Sequence, residues 1–207
     1  MGKLTNGIFG AVNGKVGNII GYNLNGQQVI RTIGVNNKPL SEKQLNNKLQ
    51  MKVIMQFFHQ MDTLIQMGFS PEARNTTKNY HNLAIAYNKP NALTGFYPDV
   101  AIDFSKILIS AGNLPQPENT KIERIGNQLE FTWEGIRNTD QVMLLAYAPI
   151  TKQMVFEASG AKRAQGKEKL ILKPGMENEI LELYISFVSN DRMQAANSLY
   201  LGSITNA

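Results

Sequence analysis

The chain has 207 residues, 43% of them hydrophobic and 18% charged, with 21 Lys and Arg against 16 Asp and Glu for a net charge of +5. This is the make-up of a globular chain long enough to bury a core. It contains no cysteine, which excludes disulfides, thiolate catalysis and Cys-based zinc sites, and no apolar run of about 18 residues that could span a membrane.

The apolar runs near the N-terminus are too short for a signal peptide. The expectation is cytoplasmic synthesis without Sec export, with the final location left open. The charge is uneven. Residues 1–40 hold Lys3, Lys15, Arg31 and Lys38 and no acid, whereas residues 99–207 hold 11 basic and 13 acidic residues. A basic front suits a polyanion or the acidic part of a neighbouring subunit. No dense Lys/Arg cluster and no aromatic-interleaved motif points to nucleic acid, so a dispersed solvated face is favoured.

Residues 7–33 contain six of the 17 glycines and no acidic residue. Asn13-Gly14 and Asn25-Gly26 are strong hairpin signals, because a type I′ turn needs positive φ at both central residues. They predict a three-stranded meander over about 7–12, 15–24 and 27–33. Two-residue turns set Val12 opposite Lys15, Leu24 opposite Gln27, Tyr22 opposite Val29 and Ile20 opposite Arg31. Val16, Ile20, Tyr22 and Leu24 then share one face; Gly17 and Gly21 lie on the other beside Ile19. Strand glycines mark bends or close approach of another backbone. A small meander is marginal alone, so it needs a packing partner, its own helix or another subunit. The residues expected at such an interface are Gly10, Gly14, Lys15, Gly17, Ile19, Gly21, Tyr22, Ile30 and Arg31. The stretch is not a P-loop: three residues separate Gly10 from Gly14, and Val16 follows Lys15 where Ser or Thr is needed. Met1-Gly2 lacks the Ser or Thr at position 6 that myristoylation requires.

Pro39 precedes Ser41-Glu-Lys-Gln44, which reads as a capping box. Leu45, Leu49, Val53, Phe57, Met61 and Leu64 follow at helical spacing, with Gly68 as a C′ residue. These predict one long helix over about 42–67, with a broad Met-rich face read as core and packed on the meander. A shorter helix is expected from 71 or 77 to 88, ended by Asn88-Lys-Pro90. Residues 88–99 read as a connector, giving domains 1–98 and 99–207. Beyond it, short alternating runs predict strands at 106–110, 121–125, 128–133, 142–148, 154–158, 169–172, 179–188 and 199–204. Leu129, Phe131 and Trp133 alternate with polar residues, as do Leu181, Leu183, Ile185 and Phe187. The fold class is therefore α+β: a Gly-rich β-meander with one long and one shorter helix, then an immunoglobulin- or fibronectin-III-like β-sandwich. Residues 161–169, polar and basic, read as an exposed loop.

Gly14-Lys-Val-Gly17-Asn-Ile-Ile-Gly21, the run from Gly26 to Ile30-Arg31, Gln44, Leu129-Glu-Phe-Thr-Trp133 and Ser198-Leu-Tyr-Leu-Gly202 carry a resemblance over the whole chain. The chain resembles an uncharacterised family of similar length from Bacteroidetes-type bacteria, classed only as a domain of unknown function. The resemblance implies no activity, cofactor or catalytic residue. The Gly-Lys-Val-Gly arrangement also looks like that of small structural proteins of tailed phages.

Nothing in the sequence assembles a catalytic constellation. His59 and His81 have no partner at metal-ligand spacing and read as structural. No Gly-x-Ser-x-Gly elbow is present. Asp99 with Asp103, Glu130 with Glu134, and Glu177, Glu179 and Glu182 could in principle pair for glycoside hydrolysis, but they fall on solvated strand faces and loops. The expectation is a non-enzymatic structural protein, without cofactor or metal, that self-associates into a homo-oligomer through its N-terminal module. The alternative is a monomeric binding module for a glycan, protein or nucleic acid.

Overall fold

In the computed structural model, which describes residues 2–4, 7, 10–35, 37–74, 76–134 and 138–205, α1 (Glu42–His59) begins directly after Ser41. The described residues form a mixed α+β fold with three helices and several antiparallel sheets. The chain divides into two compact units, residues 1–41 and 42–207.

The first unit is one antiparallel sheet of four strands in chain order: β1 (Lys3–Leu4), β2 (Val12–Val16), β3 (Ile19–Leu24) and β4 (Gln27–Thr32). The Asn25-Gly26 turn joins β3 to β4 as expected, with Leu24 opposite Gln27, Tyr22 opposite Val29 and Ile20 opposite Arg31. Asn13-Gly14 is not a turn. It lies inside β2, and the chain reverses instead at Gly17-Asn18, where Gly17 takes a positive φ of 55°. Val16 therefore pairs with Ile19, Lys15 with Ile20 and Gly14 with Gly21. Val16 thus joins Ile19 and Gly21 on the face opposite Ile20 and Tyr22. Part of the predicted first strand lies outside the described residues.

The second unit begins with the helices. The predicted single helix of 42–67 is two: α1 ends at His59 and α2 spans Asp62–Ala73. A straight helix of that length would run roughly 39 Å. The bend at Gln60-Met61 instead turns Ile54, Phe57 and Phe58 of α1 and Leu64, Ile65 and Phe69 of α2 into one hydrophobic cluster. Gly68 does not end a helix. It is buried inside α2, where a Cβ would collide with the backbone oxygen of Ile109; the glycine permits close approach of the 107–111 segment, whose Ala111 N–H donates to the Gly68 carbonyl (3.2 Å).

Helix α3 (Tyr80–Asn91) starts at Asn79, whose side chain accepts from the Asn82 amide. It runs through Asn88 and Pro90, which the sequence reading places in a connector. Asn88 is buried and fully engaged: its Nδ2 donates to the Ala84 and Leu108 carbonyls (both 2.9 Å), and its Oδ1 accepts from the Leu108 amide (2.7 Å). This latch ties the helices to residues 107–111, which join no sheet. A short pair, β5 (Leu93–Thr94) with β6 (Ala101–Ile102), bridges the two.

Seven further strands follow: β7 (Lys121–Ile125), β8 (Gln128–Thr132), β9 (Gln141–Ala148), β10 (Gln153–Glu157), β11 (Lys167–Ile171), β12 (Leu181–Val188) and β13 (Leu199–Ile204). They form a four-stranded sheet ordered β10-β9-β12-β13 and a three-stranded sheet ordered β11-β8-β7. Val142, Leu144 and Ala146 of β9 and Leu181, Leu183, Ile185 and Phe187 of β12 share a cluster with Leu129, Phe131 and Trp133 and with Leu170 of β11. The opposite faces of β9 and β12, through Met143, Leu145, Tyr147, Tyr184 and Val188, belong to the cluster of the helices. The sequence reading gives β12 one buried face, but both are buried. The helices and strands of residues 42–207 therefore share a core, and the division between the compact units falls after residue 41.

Residues 161–169 are mostly exposed as expected, but Lys167 to Lys169 belong to β11 and one side chain is buried. Arg163 opens a short 3-10 turn and is wholly buried. Its guanidinium lies 4.4 Å from the Phe187 ring centroid and donates to the Pro115 and Gln116 carbonyls (2.7 and 2.8 Å). Its own carbonyl accepts from Trp133 Nε1 (2.9 Å). Burial pushes the Asp140 carboxyl up, and the Arg163 charge pulls it part of the way back.

Two predictions follow from this packing. Gly68→Ala should cost about 1–3 kcal/mol, because the added methyl meets backbone rather than a movable side chain; denaturant unfolding of the full chain measures it. The Tyr200 hydroxyl donates to Glu182 Oε2 (2.5 Å). Burial, then the bond and charge of Glu182, raise the phenol from 10.0 to about 12. A folded-state value above the unfolded one gives stability that is complete below pH 10 and lost as pH climbs to about 12. Melting curves over this window should fall less steeply for Tyr200→Phe than for the native chain.

Candidate interaction surface

The first unit has an unusual feature for a sheet of four strands. Among its described residues Gly21 alone is buried, and every side chain is half-buried or exposed. Apolar side chains stand in solvent on both faces. Val16, Ile19 and Ile30 lie on one face, with Ile30 58% exposed; Leu24 lies on the other at 53%.

The nine residues expected at an interface all fall in this unit but do not form one patch. Gly14, Ile19, Gly21 and Ile30 share the face of Val16. Lys15, Tyr22 and Arg31 share the other, where the Arg31 guanidinium sits 5.7 Å from the Tyr22 ring centroid. Such an exposed cation–π contact contributes about 0.5–1 kcal/mol and holds the charge over the ring. Gly17 occupies the β2–β3 turn, and Gly10 sits in a bend whose amide donates to the Gly7 carbonyl (3.0 Å).

The glycines have distinct jobs. A Cβ on Gly21 would collide with the Val12 carbonyl, so the chain's own β2 backbone fills the space that the missing side chain leaves. Gly14, directly opposite, takes a φ of 102°. The bare strip is thus partly used internally, and the exposed apolar residues flank it. β4, at the end of the strand order, keeps one edge of its backbone unpaired within this sheet.

The carboxylates considered for catalysis are dispersed and locally engaged. Asp103 accepts from the Ser105 amide and hydroxyl and pairs with Lys106 (3.0 Å). Glu134 accepts from Asn119, Glu177 from the Gly175 amide, Glu179 from the Thr151 amide and Glu182 from Tyr200. His59 is exposed and His81 half-buried with an edge-on contact to Tyr80. Among the described residues no group of three or more His, Asp or Glu is placed to hold a metal ion, and no helix is long and apolar enough to cross a membrane.

Sequence reasoning missed an aromatic notch. Phe96, 79% exposed, stands with Tyr97 and Pro98 beside the first turn of α1 (Glu42, Lys43, Leu45 and Asn46), around a pocket of about 750 Å³. The Tyr97 amide donates to Asn46 Oδ1 (3.0 Å). The Gly-Phe-Tyr-Pro run was its only signal, and it reads equally well as a turn.

A family model matches residues 11–202 of the chain. The chain belongs to DUF6266, a family of unknown function. No curated protein and no solved structure matches it. The match takes in the whole of β2–β4 and, apart from the last two residues of β13, every strand and helix of the second unit.

Gly21→Val should open the β2–β3 pairing, since the new side chain would occupy the Val12 carbonyl position. Amide hydrogen exchange should show lost protection over residues 12–32 and unchanged protection over 142–148 and 181–188.

Proposed function

We propose that this DUF6266 protein is a non-enzymatic assembly protein whose N-terminal sheet associates with copies of itself, and whose second unit serves as a rigid body of the fibronectin-III-like sandwich type. The observation that carries this reading is the absence of any buried side chain among the described residues of the first unit. Three or more strands hold together only when a hydrophobic face is covered. Covering Val16, Ile19 and Ile30 with a second copy supplies that burial, at roughly 25 cal/mol for each Å² removed from water. Two features favour a copy of the same chain. The free backbone edge of β4 can accept another strand, and the acid-free residues 1–40 are opposite in sign to residues 99–207, whose 11 basic and 13 acidic residues leave them slightly negative. A basic front meeting an acidic back is a heterologous contact, which closes into a ring or continues as a filament.

The body reading is supported by strand order. The first, second and fifth of the seven strands make one sheet, and the third, fourth, sixth and seventh make the other. Trp133 lies in the cluster shared by the two sheets, as in an immunoglobulin-like sandwich. A second reading, a monomeric binding module, is favoured by the exposed Phe96–Tyr97 notch.

Light scattering across a range of concentration and salt, with negative-stain microscopy of the same samples, tests the proposal. The expected result is a regular species much larger than the 23.1 kDa chain, reduced to a monomer by Ile19→Asp with Ile30→Asp. A monomer under all conditions overturns self-association and leaves the binding module.

A further inference from the structure

A pocket of about 400 Å³ opens between the C-terminal end of α1, β6 and the β9–β10 hairpin. Its floor is apolar: Val53 and Phe57 of α1, Ile102 of β6 and the Tyr147 ring of β9. The rest of its lining is polar, with Gln56, His59 and Gln60 at the helix end and Lys152 in the hairpin turn. Among the described residues no carboxylate lines it. An apolar floor with a few polar groups is the usual make-up of a small-molecule site, and the volume falls in the usual range of about 300–1,000 Å³.

Tyr147 carries a donor that the fold does not use. Its ring is fixed by packing, edge-on to Phe57 (centroids 5.0 Å apart) and tilted against Phe104 (5.4 Å). The side chain is only 6% exposed. Its hydroxyl nevertheless has no hydrogen-bond partner among the described residues, and it is not sealed from solvent. The space open to it is this pocket. A buried tyrosine hydroxyl ordinarily finds a partner. Tyr184, which belongs to the same cluster, does so by donating to the Phe104 carbonyl (2.7 Å). Burial alone raises the Tyr147 phenol above its ordinary value, so it stays a neutral O–H donor without an acceptor.

Lys152 supplies the charge. Its backbone is left-handed, φ 56°, a conformation that Gly or Asn adopts at less cost, so the turn itself does not call for lysine. The nearby acids are engaged elsewhere. Glu179 accepts from the neighbouring Thr151 amide (3.3 Å), and Asp103, next to Ile102, is taken up by Ser105 and Lys106. No carboxylate among the described residues comes within ion-pair distance of Lys152.

We propose that this pocket binds a small carboxylic acid with an apolar body, the body lying on Phe57, Ile102 and the Tyr147 ring and the carboxylate accepting from the Tyr147 hydroxyl and pairing with Lys152. A carboxylate is an acceptor only, which is what a phenol and an ammonium both lack. A phosphate dianion would bring a second charge against one lysine and an apolar floor, where an unpaired charge is costly. The site lies wholly within residues 42–207 and is independent of N-terminal assembly.

Calorimetric titration of the full chain with phenylacetate, hexanoate, acetate and 2-phenylethanol, all at one ionic strength, tests it. Saturable one-to-one binding of phenylacetate or hexanoate is the expected result, with acetate (no apolar body) and 2-phenylethanol (no charge) at least about tenfold weaker. The order of the two acids identifies an aromatic or an aliphatic body. Tyr147→Phe removes a hydroxyl without a partner, so it should leave the melting temperature unchanged or raised while weakening acid binding about tenfold, in line with loss of a hydrogen bond to a charged group. Lys152→Gln, at an exposed position, should weaken binding similarly with the fold intact. Amide shifts at Phe57, Tyr147 and Lys152 on adding the acid locate the site independently. Absence of saturable binding by either acid, equal binding of 2-phenylethanol, affinity unchanged in Tyr147→Phe, or a lowered melting temperature in that variant would overturn the proposal.

Discussion

Strands β9 and β12 have no solvent face, and the second unit depends on that constraint. A strand buried on one side alternates apolar and polar residues; a strand buried on both sides cannot. Val142 to Ala148 is therefore an unbroken apolar run, with even-numbered residues in the cluster of the two sheets and Met143, Leu145 and Tyr147 in the cluster of the helices. Because the same backbone belongs to both clusters, helices and three-stranded sheet cannot be separated without exposing one side of the central sheet. This is why residues 42–207 form one compact unit although the sequence changes character near residue 100.

Burying so much backbone and sheet edge requires that the polar groups carried inside be matched. Ser186 points from β12 into the helix side, where Ser110 Oγ donates to its hydroxyl (2.6 Å). Asn88 binds the 107–111 segment through donor and acceptor alike. On the other side Arg163 spans the gap between β12 and the 115–116 backbone. A charge placed there is tolerable because carbonyl dipoles and the Phe187 ring face it, with Asp140 and Glu118 attracting it at longer range. These three polar sites sit where elements of different type meet. Each satisfies backbone groups that neither helix nor sheet could satisfy, which fixes the relative placement of layers more specifically than hydrophobic contact alone.

The sequence was legible where a local rule coincided with tertiary demand. The seven later strands, the Asn25-Gly26 turn and the start of α1 were all readable, since alternation, turn chemistry and capping act over a few residues. Misreadings arose where one residue type serves two purposes. Gly68 has the position of a helix C′ residue, yet its lack of a side chain serves packing against Ile109. Asn13-Gly14 has turn chemistry, but Gly17-Asn18 competes for the same reversal and leaves Gly14 opposite Gly21 inside the sheet. Arg163 looked like surface because a basic residue in a polar run usually is, and no local signal announces carbonyls supplied from 48 residues away. The nine candidate interface residues lie in or beside one sheet, divided between its two faces, and the misplaced turn changed only the faces assigned on β2.

The two units thus stand at opposite ends of one physical scale. In the second, two clusters bury a large apolar core around both faces of β9 and β12, although side chains such as Phe96, Ile150 and Ile171 stay exposed. In the first, the strand pairing is regular while the described side chains are half-buried or exposed, and the one buried residue, Gly21, contributes no side chain at all. Hydrogen bonds between strands add little net stability when the alternative partner is water. Chain entropy of about 1–2 kcal/mol per ordered residue must therefore be met by apolar burial, and in the first unit Val16, Ile19, Leu24 and Ile30 are exposed. A sheet with defined register and exposed apolar side chains on both faces is the imbalance on which the proposal of association through the N-terminal sheet rests.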